Sequence, residues 1–419
     1  MSRKISVICA PAPKPNPGMA SVDFAFYALS RRYGFAEQVT YYQLYTHDEL
    51  HSRARTGLER EIRTRQSLPF EYRNFRHGLE DILASDRIVF WGDFLHAADY
   101  HEAAARRLVK IGLAGSSEEA LDRVRDHYFL RNAPAEIWPK VLAFGGNLLF
   151  NRVGHYADGS YASQVQQFFQ KVGKVWMRDV YSAARVSELR NDYEFSYLGC
   201  DGSLLLTSED LEQLPYNSCY DHVGGGKGHA GIFFGCNKCN PAIMARFARD
   251  LCRRLGIKGH WIPWGLSKGF GRMKKKVGRR FSGMEIREDP TPPTLGDLQR
   301  MLGHCEVVIS DTYHVCVNAW RLGVPAVCLG QALVRQPDNI NSGNAFAWRD
   351  KRQVFYGMHD AMEYYVYIEE LADRSWRRKR LEQLVALLQK DSYRQAVSSR
   401  IRARAAAVEQ SLVQALLPH

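Results

Sequence analysis

Apolar residues along the chain fall into short runs separated by stretches with helical spacing. Ile5 to Ala10, Val39 to Leu44, Arg87 to Trp91, Lys140 to Phe144 and Lys174 to Met177 read as buried strands. Between them, Val22 to Tyr33, Leu79 to Ala84 and Ser163 to Val172 place apolar positions three and four apart. Strands alternating with helices predict a doubly wound parallel sheet, here over residues 1–214. Pro215 to His229 is polar and Gly-rich, which predicts a linker over 215–230. A second alternation fills 231–355: a strand at Gly231 to Gly235, a helix at Ala242 to Leu255, a strand at Lys258 to Pro263 and a helix at Leu295 to Gly303. It ends with a strand at Glu306 to Ser310, a helix at Val315 to Leu322 and a strand at Ala326 to Leu329. The stretch Ala361 to Leu417 has helical spacing, and the tail 356–419 is expected to pack back on the first domain. The predicted fold class is α/β, with two doubly wound domains facing a cleft and a helical C-terminal tail.

The second alternation contains the most informative block. Ser310-Asp311-Thr312-Tyr313-His314 is a polar elbow between a buried strand and a helix. Open parallel sheets bind ligands beyond the carboxyl ends of their strands, and the unpaired N–H groups at a helix start favour an anion. His314 is placed there as donor or proton carrier. A structural alternative makes Asp311 the helix cap and His314 a satisfied elbow histidine. Met177-Arg178-Asp179-Val180-Tyr181-Ser182 is a second strand end. Arg178 there can grip a phosphate or carboxylate bidentately, Asp179 can orient it, and Ser182 can start the next helix, or Arg178 and Asp179 can be a structural pair. Asp201, at the end of Tyr197 to Ser203, reads as a hydroxyl acceptor or a turn former. The Pro/Gly/Asn-rich loop Pro11 to Gly18, with Asn16 and Gly18, follows the first strand where a ligand would bind.

Composition narrows the partners. A chain of 419 residues, 45% hydrophobic and 12% aromatic, can fill two cores. A net charge of +12 points to anionic partners. Basic residues gather in Lys268 to Arg280 (KGFGRMKKKVGRR) and Arg374 to Arg380. Neither segment interleaves aromatic and basic residues as a nucleic-acid interface does, so no nucleic acid is expected. Lys274, Lys275 and Lys276 are instead assigned to contact with an acceptor or an anionic membrane face. Charged residues interrupt every long apolar run and the N-terminus has no signal-peptide core, so the expected location is cytoplasmic, with peripheral contact at the inner face of the membrane as an extension. Nine dispersed cysteines argue against a disulfide framework, and the lone Cys236-Asn237-Lys238-Cys239 is an incomplete metal signal, so no metal is expected.

Three of these segments together resemble the polysaccharide pyruvyl transferase family, built on a GT-B-like pair of α/β domains. Met177 to Ser182 looks like the family's strand, Arg-Asp and Ser-started helix, and Tyr197 to Asp201 like its following strand ending in Asp. Ser310 to His314, through Ala319 to Gly323-Val324-Pro325, looks like its C-terminal signature. The order and spacing agree over roughly Gly145 to Gly330. Three positions depart from the pattern. Thr312 stands where many members have Arg, Asn16-Pro17-Gly18-Met19 replaces Asn-x-Gly-Asp, and Trp91-Gly92-Asp93-Phe94 replaces a glycine run. The resemblance implies transfer of a pyruvyl group from phosphoenolpyruvate, as co-substrate and without a cofactor, to a sugar or glycan that is free or lipid-linked. It implies His314 as acid or base, Asp201 or Asp179 as proton acceptor, and Arg178, Asp311, Thr312, Asn16 and Gly18 around the donor. Two other classes fit the same elements: a GT-B glycosyltransferase using a nucleotide sugar, and a non-catalytic glycan-binding protein.

Overall fold

The apolar runs become the strands of two parallel sheets. In the computed structural model the first sheet comprises β1 (Ile5–Cys9), β2 (Val39–Gln43), β3 (Tyr72–Asn74), β4 (Arg87–Trp91), β5 (Val141–Gly146) and β6 (Lys174–Met177), in the order β3-β2-β1-β4-β5-β6. The second comprises β7 (His229–Phe233), β8 (Lys258–Trp261), β9 (Val307–Ser310), β10 (Ala326–Gly330) and β11 (Tyr365–Tyr367), in the order β11-β10-β9-β7-β8. Every pairing is parallel. Strand order reverses between β1 and β4 and between β7 and β9, the switch points where loops diverge and leave a crevice. The described residues are 3–12, 16–46, 49, 68–92, 95–149, 151, 153–192, 197–216, 228–235, 241–265, 274–275, 277–279, 281, 292–331 and 350–417. Most of the expected linker, from 217 to 227, therefore lies outside them.

Local chemistry accounts for the differences from the sequence reading. The first helix is Pro17–Arg32, five residues earlier than its apolar pattern begins, because Asn16 accepts from the Gly18 N–H at 3.1 Å and Pro17 occupies the first turn. An Asn cap followed by proline is a strong helix start, so the last two residues of the expected loop, Pro17 and Gly18, are helical. The segment before Asp201 contributes only an isolated bridge, Leu198 to Met177, and Asp201 opens the 3-10 turn Gly202–Leu205. Strands β3 and β11 are three-residue edge strands, too short to leave a period in the sequence. The tail is mixed: β11 and short 3-10 turns precede the helices Arg374–Leu388 and Asp391–Leu416.

Packing joins the two sheets. One apolar core runs from β1 and β4 through the first helix to the second sheet and the terminal helix, while the opposite face of the first sheet closes over a separate core. The terminal helix Asp391–Leu416 buries Leu412 and Leu416. It meets the first sheet polar group to polar group: Trp176 Nε1 donates to Ser411 Oγ at 3.3 Å and Arg87 Nε donates to the Ala415 carbonyl at 2.9 Å. Arg32 pairs with Glu409 at 3.0 Å.

The separate core of the first domain contains two histidines, His96 and His101, among Phe90, Phe129, Phe168 and Tyr161. Burial pushes His96 down to about 3, with the charge of His101 acting the same way. Burial likewise takes His101 down to about 4, against the opposing pull of its hydrogen bond to the Leu95 carbonyl. Both are neutral when folded and titrate near the ordinary 6.5 when unfolded, so their contribution to stability is complete above about pH 6.5 and lost as pH falls toward the folded values. Unfolding free energy should drop by up to about 1.4 kcal/mol per pH unit for each histidine in that window. His96 Nε2 is buried without a hydrogen-bond partner. His96→Leu is thus expected to flatten the profile in urea titrations from pH 7 to 5; a variant as acid-sensitive as the parent would remove His96 from this account.

Candidate active site

The elbow at the end of β9 is held by its own side chains. Ser310 Oγ donates to the Phe233 carbonyl at 2.6 Å and accepts from the Thr312 N–H at 3.1 Å, which ties the end of β9 to the end of β7. Asp311 Oδ1 accepts from the Gly235 N–H at 2.7 Å and from Thr312 Oγ1 at 3.0 Å. Asp311 therefore spans the switch point and does not cap the elbow helix, Tyr313–Arg321. Thr312 is the cap residue, without a side-chain capping bond, and the first turn contains no acidic residue. This leaves the positive end of a helix dipole at the junction. Thr312 donates its hydroxyl to Asp311, and Asn16 uses its carbonyl oxygen on its own helix.

His314, in the first turn of that helix, lies against the start of the first helix. A Cβ placed on Gly18 would fall 2.5 Å from His314 Nδ1 and 2.6 Å from its Cβ and Cγ. One turn further on, Asn318 Nδ2 donates to the His314 carbonyl at 2.8 Å and reaches Ser21 Oγ at 3.4 Å. Glycine and serine on the first helix thus let two helix starts, one from each sheet, meet closely. The altered first loop is a contact surface for the histidine.

The first sheet brings Arg178, Asp179 and Asp201. Arg178 extends β6, its N–H donating to the Gly146 carbonyl at 3.0 Å. Asp179 caps the helix Val180–Arg190, accepting from the Ser182 N–H and Oγ, both at 2.8 Å. Ser182, expected to start this helix, lies inside its first turn, and its Oγ also accepts from the Leu148 N–H at 2.9 Å. Asp201 Oδ1 accepts from the Ser203 N–H at 3.0 Å and Oγ at 2.6 Å. Its Oδ2 stands 3.6 Å from His314 Nε2 and 3.7 Å from an Arg178 guanidinium nitrogen, ion-pair distances just beyond a hydrogen bond. Arg178 is 4% exposed, Asp201 3% and His314 7%. Burial acts to raise the Asp201 carboxyl, but His314, Arg178 and the Ser203 hydroxyl outweigh it and hold the group well below the usual carboxylate range. Asp201 is accordingly an anion that fixes an arginine and a histidine from opposite sheets.

Beside this triad, Arg178, Asp179, Tyr313, Lys351, Phe355 and Met358 line a small pocket. The Arg178 guanidinium lies 4.7 Å from the Tyr313 ring centroid and the Lys351 ammonium 5.0 Å from it. Neither Tyr313 nor Lys351 was singled out from the sequence. Lys351 starts the helix Lys351–Met358, which the sequence reading did not place after the strand Ala326 to Leu329. Lys274 and Lys275 belong to a helical segment and do not line this pocket; Lys276, Cys236 and Cys239 lie outside the described residues. Asp99, Glu102 and His155 form a metal-capable group among the described residues, remote from the triad in sequence and joined by a 3.3 Å contact of His155 with Asp99.

No curated protein matches the sequence. The structure resembles UDP-GlcNAc 2-epimerase from Neisseria meningitidis bound to UDP-GlcNAc, with a TM-score of 0.56 and 10% identity over 99% of this chain and 100% of that one. It also resembles S. aureus MnaA with UDP, with a TM-score of 0.52 and 9% identity over 99% and 97%. At such identities the likeness concerns the fold, two parallel-sheet α/β domains of GT-B type with a helical C-terminal region. The polysaccharide pyruvyl transferase family model matches residues 71–332. That stretch is more than half of the chain and contains Arg178, Asp201 and His314, and the chain belongs to the polysaccharide pyruvyl transferase family.

Proposed function

We propose that the protein transfers the pyruvyl group of phosphoenolpyruvate to two hydroxyls of a sugar or glycan, releasing phosphate and leaving a pyruvate ketal. The observation that carries this reading is the meeting of His314, Asp201 and Arg178 at the ends of two sheets, in a chain of this family. Protonating the methylene carbon of the donor makes it a methyl group and leaves cationic character at C2. One hydroxyl oxygen then bonds to C2, the C2–O bond to phosphate breaks, and the second hydroxyl closes the ketal. Of the two hydroxyl protons, one balances the proton given to carbon and the other leaves with phosphate.

His314 is the acid for the first step and, once neutral, the base for the attacking hydroxyl. Asp201 remains ionised and steadies the imidazolium; so depressed a carboxyl is a weak base, which makes it a positioning residue. Asp179 has both oxygens on Ser182 and serves the frame. Arg178 holds an anionic group of the donor. The scheme needs no metal or cofactor besides phosphoenolpyruvate as co-substrate. The acceptor is free or lipid-linked, and Lys274 to Lys276 are assigned to contact with it or with the inner face of a membrane. A cytoplasmic location belongs to the same reading; among the described residues no helix is long and apolar enough to cross a membrane.

Phosphate release from phosphoenolpyruvate, measured with a panel of sugar acceptors, tests the reaction. Release that depends on an acceptor is expected. Its absence, together with stabilisation by uridine or guanosine diphosphate, would instead favour a nucleotide-sugar glycosyltransferase, which the fold alone accommodates. Arg178→Lys keeps the charge and loses the planar fork, so the KM for phosphoenolpyruvate should rise roughly 10-fold or more with a smaller change in kcat. An unchanged KM would assign Arg178 to structure and place the donor elsewhere.

A further inference from the structure

We infer that Asn318 is a positioning residue for His314, held by a one-way chain of buried hydrogen bonds that joins the elbow helix to the Gly18 turn and to the turn opened by Asp201. The catalytic consequence rests on the pyruvyl-transfer reading, whereas the chain rests on geometry. Asn318 follows His314 by one helical turn and lies on the same side of the elbow helix. It is buried, as are Ser21 on the first helix and Gln299 on the helix Leu295–Gly303, each no more than 1% exposed. Asparagine is a poor residue for a helix interior, and a buried amide costs stability unless its groups are bonded. Asn318 meets that condition: Nδ2 donates to the His314 carbonyl at 2.8 Å and to Ser21 Oγ at 3.4 Å, and Oδ1 accepts from Gln299 Nε2 at 3.1 Å.

Donors and acceptors fix the direction of the chain. Arg321 Nη2 donates to Gln299 Oε1 at 2.6 Å, and a guanidinium has donors and no acceptor. Burial pulls Arg321 down to about 10, with the charge of Asp210 acting the other way, so the group keeps its proton at neutral pH. The Gln299 oxygen must therefore face Arg321, which turns Gln299 Nε2 toward Asn318 Oδ1 and Asn318 Nδ2 toward His314 and Ser21. Ser21 Oγ in turn donates to the Gly18 carbonyl at 2.8 Å. Backbone carbonyls, which only accept, end both branches. Neither amide can flip without losing a bond, so the chain has one arrangement.

Its anchor points surround the imidazole. Arg321 Nη1 also donates to the Leu206 carbonyl at 3.4 Å, directly after the 3-10 turn Gly202–Leu205 that Asp201 opens. Asp201 Oδ2 stands 3.6 Å from His314 Nε2. On the other side of the ring lies Gly18, where a Cβ would come 2.5 Å from Nδ1. The chain thus ties the proton carrier to the carboxylate beside its Nε2 and to the glycine beside its Nδ1. Asn318 acts through the His314 backbone, and a displacement of about 1 Å at a reacting group is enough to cost roughly 100-fold in rate.

Three variants of the full chain test this role. Asn318→Leu keeps the branched shape and removes the bonds; Gln299→Glu is isosteric, gives Arg321 a carboxylate and takes away the donor that faces Asn318 Oδ1; Ser21→Ala cuts the contact with the first helix. Asn318→Leu and Gln299→Glu should lower kcat about 10- to 100-fold with the KM for phosphoenolpyruvate changed less than about 3-fold, and Ser21→Ala should lower kcat up to about 10-fold. Gln299→Glu should melt close to the parent, because Arg321 gains an ionic partner, and it carries the test if Asn318→Leu does not fold. In the ligand-free parent the nuclear Overhauser effect between the His314 ring and the Gly18 Cα protons should be strong, and it should weaken in the variants. Parental kcat in a folded Asn318→Leu or Gln299→Glu protein overturns the role of Asn318. So does an unchanged Overhauser effect in a variant that loses kcat, or activity losses that simply follow melting temperature. A parent that releases no phosphate from phosphoenolpyruvate, yet shows an Overhauser effect that weakens in the variants, retains the chain and removes the pyruvyl-transfer reading.

Discussion

Replacing His314 with glutamine should lower turnover by about two to four orders of magnitude while the protein stays folded. Glutamine keeps most of the side-chain volume against Gly18 but cannot carry a proton to carbon. Some stability should be lost, because His314 helps to keep the buried Asp201 ionised, but Arg178 and the Ser203 hydroxyl remain to hold that carboxylate. The Asn318 bond to residue 314 uses the backbone carbonyl and survives the change. Acceptor-dependent phosphate release and a melting curve, taken on the same preparation, separate chemistry from folding. Near-parental turnover in a folded His314→Gln or His314→Ala protein would move the acid to another residue.

Gly18→Ala should cost about 100-fold in kcat/KM, although it adds only one methyl group and removes no ionisable group. The new methyl would lie within 2.6 Å of both the ring and the Cβ of His314. A flip of the ring cannot relieve a clash with Cβ, so the two helix starts must separate. Separation also stretches the 3.4 Å contact of Asn318 with Ser21 and moves His314 relative to Asp201. Overpacking of this kind typically destabilises by about 1–3 kcal/mol, so the melting temperature should fall as well. Gly34→Ala is a suitable control: Gly34 has a φ of +73° and no atom near its prospective Cβ, so it should show backbone strain without loss of catalysis. Equal activity losses in the two variants would mean that Gly18 matters only for stability.

Several of these relations were open to a reader of the chain and others were not. The strand β4 (Arg87–Trp91), the strand β6 (Lys174–Met177) and the helix Leu295–Gly303 stand where the spacing of apolar residues places them. Buried parallel strands and a helix with a broad apolar face leave a contiguous record of their own burial. The first turn of the helix Pro17–Arg32 was missed because capping by Asn16, and not hydrophobicity, decides where it starts. The edge strands β3 and β11 were missed because three residues carry no period.

By itself the sequence determined the two strand-helix alternations, the polar elbow with His314, the Arg178-Asp179 strand end and the family, all of them patterns within one stretch of chain. Tertiary structure alone decided which of these polar residues face one another. It turned Asp311 toward Gly235 and Asp179 toward Ser182, each satisfying backbone N–H groups that only a particular crossing of strands or helix start leaves open. It set Asp201 between Arg178 and His314, gave Gly18 its meaning as the floor beneath an imidazole, and brought Lys351 to the same ring as Arg178. Hydrophobic periodicity reports how each element is buried, whereas a charge pair depends on the distance between elements, and that distance is set by strand order at the two switch points and by how closely a glycine lets two helices approach.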